Sequence, residues 1–242
     1  MPTLLLLRHA RTAANAEGGL AGRRPVELDD AGRVQAAAVG ERLRALPLAE
    51  VVTSPLIRCR ETIALALPDA SPAVEDGLIE CGYGAWEGQP LKTLAKDPLW
   101  AVVQLHPSAA AFPDGEPMAA MSARAVAAAR AWDARVGAEH GPDAIWLACS
   151  HGDVIKAIVA DALGVHLDLF QRIVVDPASL TAIRYTPTRP FLLRLNDTGG
   201  DLSALLPPKR PRRRGRRPGR PSVLAESDAP VGGGTGGGRM PR

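Results

Sequence analysis

The chain has 242 residues, 46% of them hydrophobic and 4% aromatic, enough to bury the core of one domain. Its formal net charge of +3 is unevenly spread: residues 1–206 hold 19 Lys and Arg against 24 Asp and Glu, a net of −5, while residues 207–242 hold 10 against 2, a net of +8. No stretch approaches the roughly 18 apolar residues of a membrane span, and the three Cys, an odd number without paired spacing, exclude a disulfide framework. Arg8 interrupts the N-terminal Leu run too early for a signal peptide, so the expectation is a soluble cytoplasmic protein with no membrane partner.

In chain order, Leu4 to Leu7 is a short apolar run that stops at Arg8-His9, which reads as a strand covered on both faces that delivers a cation and an imidazole to a loop. Ala31 to Leu46 has helical patterning, with Asp29 as N-cap and Pro47 as stop. Val51-Val52-Thr53 reads as a second strand, followed by Ser54-Pro55-Leu56-Ile57-Arg58, with Pro55 in the first turn of a helix that carries Arg58. Leu78 to Gly84 is a Gly-punctuated loop containing Glu80. Residues 85–122 contain Lys92 and Lys96 but no Arg, and Met118 to Val136 is an Ala-rich helical stretch. Ala144 to Cys149 reads as a third strand, ending in Ser150-His151-Gly152-Asp153 with a helix over Val154 to Leu163. Ser179 to Tyr185 and Pro190 to Leu195, joined by Thr186 to Arg189, form an edge hairpin. Strands alternating with helices predict an α/β fold, a three-layer α/β/α sandwich with a mostly parallel central sheet. Ligands bind such sheets at the strand ends, where this chain offers two Arg and two His.

Four motifs in order then carry a family likeness: Arg8-His9-Ala10; Ser54-Pro55-Leu56-Ile57-Arg58; Glu80 ahead of Gly84-Ala85-Trp86-Glu87-Gly88; and Ser150-His151-Gly152. Over residues 3 to 195 the chain resembles the histidine phosphatase superfamily, also called phosphoglycerate mutase-like. The details are most similar to a bacterial branch labelled phosphomutase. The resemblance implies that His9 accepts a phosphoryl group as phosphohistidine and that Glu80 is acid and base. It also implies that Arg8, Asn15, Arg58, His151 and Gly152 bind the substrate, with no metal or other cofactor.

The chemistry agrees with those residue types. A phosphomonoester dianion needs positive donors around its oxygens, and the planar forks of Arg8 and Arg58 suit them. A neutral imidazole attacks without first losing a proton, and His151, cationic in the dianion's field, is a third donor. The leaving alkoxide needs a proton, and a partly desolvated Glu80 supplies one; Glu87 and Asp76 are its nearest rivals. His106, His140 and His166 have no ligand spacing and read as surface or capping residues. Cys59, Cys81 and Cys149 lie beside proposed site residues, which raises oxidative control against the plainer reading of small buried Cys. Two positions depart from the family pattern: Ala10 stands where Gly is usual, and Pro117 where relatives carry a hydroxyl residue.

Hydrolysis and phosphomutase chemistry use the same intermediate. The capping region lacks paired Arg and holds Leu99, Trp100, Val102, Val103, Phe112, Met118 and Met121, which fit either a substrate's apolar group or the lid's own core. The expectation is therefore a metal-independent phosphatase acting on a small phosphorylated metabolite. A phosphomutase using Tyr83 and Lys92 is the alternative, and a non-catalytic phospho-ligand binding module the second. Homodimer formation is left open. Residues 1–206 are expected to form the domain, with a lid over about 85–122. The Pro-, Arg- and Gly-rich segment 207–242 is expected to be disordered. Arg216-Arg217-Pro218-Gly219-Arg220-Pro221 is loosely similar to an AT-hook. Nonspecific nucleic acid or polyanion contact competes there with a codon-biased tail of no function.

Overall fold

A computed structural model describes residues 2–199; the disordered-tail expectation for 207–242 lies outside them. In chain order the elements are β1 (Thr3–Arg8), α1 (Ala13–Glu17), α2 (Asp30–Leu43), β2 (Leu48–Thr53), α3 (Ile57–Ala66), β3 (Ala73–Val74), α4 (Leu91–Leu94), α5 (Pro98–Leu105), α6 (Met118–His140), β4 (Ile145–Ser150), α7 (Gly152–Leu163), β5 (Leu180–Arg184) and β6 (Phe191–Asp197). The strands form one sheet in the order β3-β2-β4-β1-β5-β6. The first four run parallel, and β5 and β6 are antiparallel. Sheet and flanking helices make the expected three-layer sandwich, mostly parallel at its centre.

Successive side chains of a strand point to opposite faces, and the Leu run of β1 feeds both layers. Leu4 and Leu6 join Val52, Trp146 and Ala148 under α6 and α7. Leu5 and Leu7 join Leu147 and Cys149 under Val39 and Leu43 of α2 and Cys59 and Ile63 of α3. A strand that needs apolar residues at every position is one buried on both sides, which is why the run is continuous rather than alternating.

Asp29 caps α2 as expected, its carboxylate accepting from Gly32 N at 2.7 Å. The helix stops at Leu43, however, and not at Pro47; a tight turn, with Leu46 N donating to Leu43 O, intervenes before β2. Pro55 likewise falls outside its helix, because α3 begins at Ile57 with Leu56 as cap; Arg58 still lies on the opening turn. The hairpin is found at the sheet edge, with its second strand reaching Asp197.

The apolar residues of the capping region resolve into core. Trp100, Val103, Phe112, Met118 and Met121 are buried, and Leu99 and Val102 pack partly buried against them. Trp86 stacks on Trp100 at 6.1 Å between ring centroids, and Phe112 meets Trp86 and Tyr83 edge-on at 5.3 and 5.0 Å. These contacts supply the region's own hydrophobic stabilisation and remove the side chains from any substrate. Among the described residues, no helix is long and apolar enough to cross a membrane.

Helices α2 and α3 pack closely at Gly40, where a Cβ would meet the Ala66 carbonyl oxygen at 2.3 Å. Gly40→Ala is expected to lower stability by about 1–3 kcal/mol, the usual cost of forcing volume into a packed contact, as read by urea denaturation.

Candidate active site

Three parallel strands end together. Arg8 pairs with Ser150 at the last rung of β1 and β4, and Thr53 with Cys149 at the last rung of β2 and β4. One residue further on, His9 N donates to Ser150 O and Ser54 N to Cys149 O, both at 2.9 Å. This register sets His9, His151 and Ser54 side by side. The two imidazole centroids are 5.3 Å apart, and His151 Nε2 is 2.7 Å from Ser54 Oγ.

His9 Nδ1 lies 2.8 Å from the Ala10 carbonyl oxygen, which only accepts, so Nδ1 carries the ring proton and Nε2 holds the lone pair. Burial, then the charges of Arg58 and Arg8, hold His9 well below the usual histidine range, so the ring is neutral at pH 7. His151 is lowered in the same way by burial, Arg58 and its neighbours. The expected imidazolium at His151 is therefore not the resting form; an arriving dianion acts in the opposite direction.

A cavity with ≈ 20 Å³ of room for water-sized molecules adjoins His9, walled in part by Asn15, Gly22, Arg58, Glu80, Tyr83 and Leu91. Of the expected site residues, His9, Asn15, Arg58 and Glu80 reach this wall, while Arg8, His151 and Gly152 are buried and do not line it. Arg8 Nη1 donates to Val175 O at 2.6 Å. Arg58 donates from Nη2 to Gly22 O and from Nη1 to Arg24 O, holding the 18–24 loop over the cavity. Arg58 Nε is buried and has no hydrogen-bond partner among the described residues, a donor available to an anion. Asn15 accepts from Thr12 N and Thr12 Oγ1 through Oδ1, so its N–H donors remain for a ligand.

Glu80 is 3% exposed, and one carboxylate oxygen accepts from Cys81 N at 2.9 Å. Burial first, then the charge of Asp153, raise it from the ordinary carboxyl range to about 7, against the opposing pull of Arg58 and Arg8. Its rivals are elsewhere. Asp76 is exposed, and Glu87 Oε1 accepts from the backbone N–H of Arg23 and Tyr83. The departure at position 10 is accommodated, since Ala10 lies outside the positive-φ region and packs with Leu28 and Ala36 away from the cavity wall. The Pro117 departure is the cap residue before α6 and follows Glu116, whose carboxylate bridges Arg23 and Arg124. Both of these guanidiniums also donate to the Glu80 carbonyl. Of the mutase candidates, the Tyr83 hydroxyl donates to Asp153 at 2.7 Å and Lys92 is exposed on α4.

Two groups escape a reading of the sequence. Asp153 and Lys156 are buried on the inner side of α7, 3.4 Å apart, where helical spacing alone suggests an ordinary first turn. Glu50, Glu139 and His140 gather at the surface from distant segments, although His140 shows no ligand spacing. The three Cys are free and buried; burial pushes the Cys81 and Cys149 thiols up, away from the reactive thiolate, which favours the packing reading. His106, His140 and His166 are exposed, and His166 caps the turn at Leu167.

The raised Glu80 carboxyl has a stability consequence. A group whose folded value lies above its unfolded value contributes stability that is full below the unfolded value, near 4.5, and lost as pH rises through about 7. Glu80→Gln is therefore expected to be more stable than the parent at pH 8 by about 2–3 kcal/mol, a gain that vanishes near pH 4.5 in thermal or denaturant melts.

Known proteins resemble the chain over most of the described residues. The chain is 32% identical over 204 residues to the bifunctional protein Rv2228c of Mycobacterium tuberculosis, covering 81% of this chain and 54% of that protein, so it spans about half that relative's length. It is 32% identical over 180 residues to an acid phosphatase of Mycobacterium tuberculosis, covering 73% of this chain and 83% of the other. Further relatives bear phosphoserine phosphatase and phosphoglycerate mutase names. The structure of the open reading frame Rv3214 from Mycobacterium tuberculosis superposes with a TM-score of 0.69 at 30% identity, covering 82% of this chain and 98% of that one. Matched over residues 4–198 by the family model, the chain belongs to the histidine phosphatase superfamily (branch 1).

Proposed function

We propose that this chain is a metal-independent phosphatase that hydrolyses small phosphomonoesters through a phosphohistidine at His9. The observation that carries the reading is one cavity walled by a neutral imidazole with its Nε2 lone pair free and by a carboxyl raised to about 7. In the first step His9 Nε2 attacks phosphorus, the P–O bond to the leaving group breaks, and Glu80 gives its proton to the departing oxygen. In the second, Glu80, now a carboxylate, takes a proton from water while the water oxygen attacks phosphorus and the P–N bond breaks. The products are the alcohol and inorganic phosphate, and both residues return to their starting forms.

Charge on the transferring group is met by Arg58, whose buried Nε has no partner among the described residues, by the amide of Asn15, and by the buried Arg8 and His151. His151 gains its proton as the dianion arrives, with Ser54 Oγ at 2.7 Å to orient the ring. Gly152 serves the same anion through its place at the start of α7. Residues 85–122 act as a lid over the pocket within a catalytic domain of residues 1–206, and the substrate is a small phosphorylated metabolite. With the Tyr83 hydroxyl engaged by Asp153 and Lys92 exposed, hydrolysis is better supported than phosphomutase chemistry. The buried free thiols suit a reducing cytoplasm.

Phosphate release from a panel of phosphomonoesters that includes 3-phosphoglycerate, in the presence of chelator, tests the reading. His9→Ala is expected to reduce release by a factor on the order of 10³ or more. A rapid alkaline quench is expected to trap a phosphorylated chain in the parent and none in the variant. Equal release by both proteins would remove His9 from the mechanism, and transfer between positions of one substrate without net release would replace the phosphatase with a mutase.

A further inference from the structure

The reaction outlined above leaves a second set of buried charges unused. Asp153 and Lys156 are 0% and 2% exposed, yet neither reaches the cavity wall. Lys156 Nζ lies 3.4 Å from Asp153 Oδ1 and donates to Gln171 Oε1 at 3.0 Å, with the Phe170 ring 5.6 Å away. Asp153 Oδ2 accepts the Tyr83 hydroxyl at 2.7 Å. Tyr83 is on the wall, three residues after Glu80 in the same loop, and Asp153 is two residues after His151 on the turn into α7. The Tyr83–Asp153 bond therefore ties the loop of the acid to the turn of the second imidazole. Removing a charge from water costs several kcal/mol, and a fold that buries three ionisable side chains beside a fourth needs a reason beyond packing.

We propose that Asp153 is a positioning residue for Glu80: held in place by Lys156 and by the Tyr83 hydroxyl, it fixes the Glu80 loop against the His151 turn and faces Glu80 with a fixed negative charge that keeps the acid able to donate a proton. The inference rests on the assignment of Glu80 as acid and base. The charges that act on Glu80 are those of Asp153 from α7, Arg58 from α3 and Arg8 from β1, with the His9 imidazole in the same cavity and Arg23 and Arg124 at its main-chain carbonyl. Among these, Asp153 is the anionic neighbour. Burial favours the protonated form of Glu80, and the two guanidiniums oppose it by favouring a carboxylate that can act as base but not protonate a leaving group. A like charge restores the balance that a group serving as acid in one step and base in the next requires. Lys156, 3.4 Å from Asp153 Oδ1 and donating to Gln171, keeps the carboxylate from standing unpaired in the core.

The test compares the parent with Asp153→Asn on two probes, 4-nitrophenyl phosphate, whose leaving group departs without a proton, and glycerol 2-phosphate, whose alkoxide needs one. Asp153→Asn is expected to move the alkaline limb of kcat on glycerol 2-phosphate to lower pH by about one unit. At pH 8 the variant should lose about tenfold in kcat on that ester while 4-nitrophenyl phosphate changes by less than about threefold. Asp153→Glu should recover part of the loss. An infrared titration of the protonated carboxyl band that Glu80→Gln removes reads the same shift without turnover. If Asp153→Asn fails to fold because Lys156 is left alone, Asp153→Asn with Lys156→Gln removes both charges and gives the same readings. An unmoved limb and infrared midpoint, or equal losses on both esters, would overturn the role of Asp153 while leaving Glu80 as acid. No phosphate release from either ester by the parent would overturn the reading of the site and this inference together.

Discussion

Two guanidiniums buried at the ends of parallel strands are the constraint on which the rest of this structure depends. Arg8 and Arg58 are 0% and 1% exposed in a sandwich whose layers are otherwise filled by Leu, Val, Ile and Ala. A cation taken out of water is tolerated only where its donors find acceptors, and here much of that acceptance comes from main-chain carbonyls of surrounding loops. Gly22 and Arg24 bend inward to meet Arg58, and Val175 is brought back from the segment after α7 to meet Arg8. The loops that shape the cavity are thus the same ones that solvate its charges. The two imidazoles follow from this placement, since each is pushed to its neutral form by burial and by the same pair of cations. The Glu80 carboxyl is raised in the same surroundings, by burial and by Asp153, against the pull of the two guanidiniums.

How much of this was legible in the sequence depends on how local the deciding physics is. The Leu run of β1 and the apolar run before Ser150 state their burial directly, and Asp29 marks the start of α2 because capping is a contact within one turn. Of the cavity wall, His9, Arg58 and Glu80 lie in the ordered motifs, and Asn15 follows from the family resemblance. The two prolines misled for the opposite reason. Pro47 and Pro55 say where a helix is forbidden, but Leu43 ends α2 and Ile57 begins α3 because of where the chain must turn to enter and leave β2. Long-range partners were hidden altogether. Nothing near Lys156 in sequence announces Gln171, and nothing near Glu116 announces that it joins Arg23 to Arg124 across the Glu80 loop.

The capping region teaches the same lesson about apolar residues. A list of Trp, Phe, Met and Val between two site motifs is equally consistent with a greasy pocket and with a small core, because side-chain type does not say which way a side chain faces. The ring geometry decides it: Trp86, Trp100, Phe112 and Tyr83 contact one another, and their shared cluster is continuous with the layer beneath α6 and α7. These side chains are therefore packed into the domain's main core. Tyr83 belongs to both worlds, with its ring in that cluster and its hydroxyl on Asp153.

The rung that pairs Arg8 with Ser150 binds the site's fate to that of the whole sheet. Side chains along a strand alternate between faces, so a slip of one residue between β1 and β4 would turn His9 away from His151 and drive Leu4 to Leu7 into the wrong layers at once. No small local melting event separates the two imidazoles, because they hang from the two central strands, the part of a domain that exchanges its amide hydrogens last. The 18–24 loop is tied down separately, by Arg58 and by main-chain bonds that join Gly18 and Leu20 to Gly88, Gln89 and Leu91, so the wall of the cavity and the pairing of the two imidazoles rest on different sets of bonds.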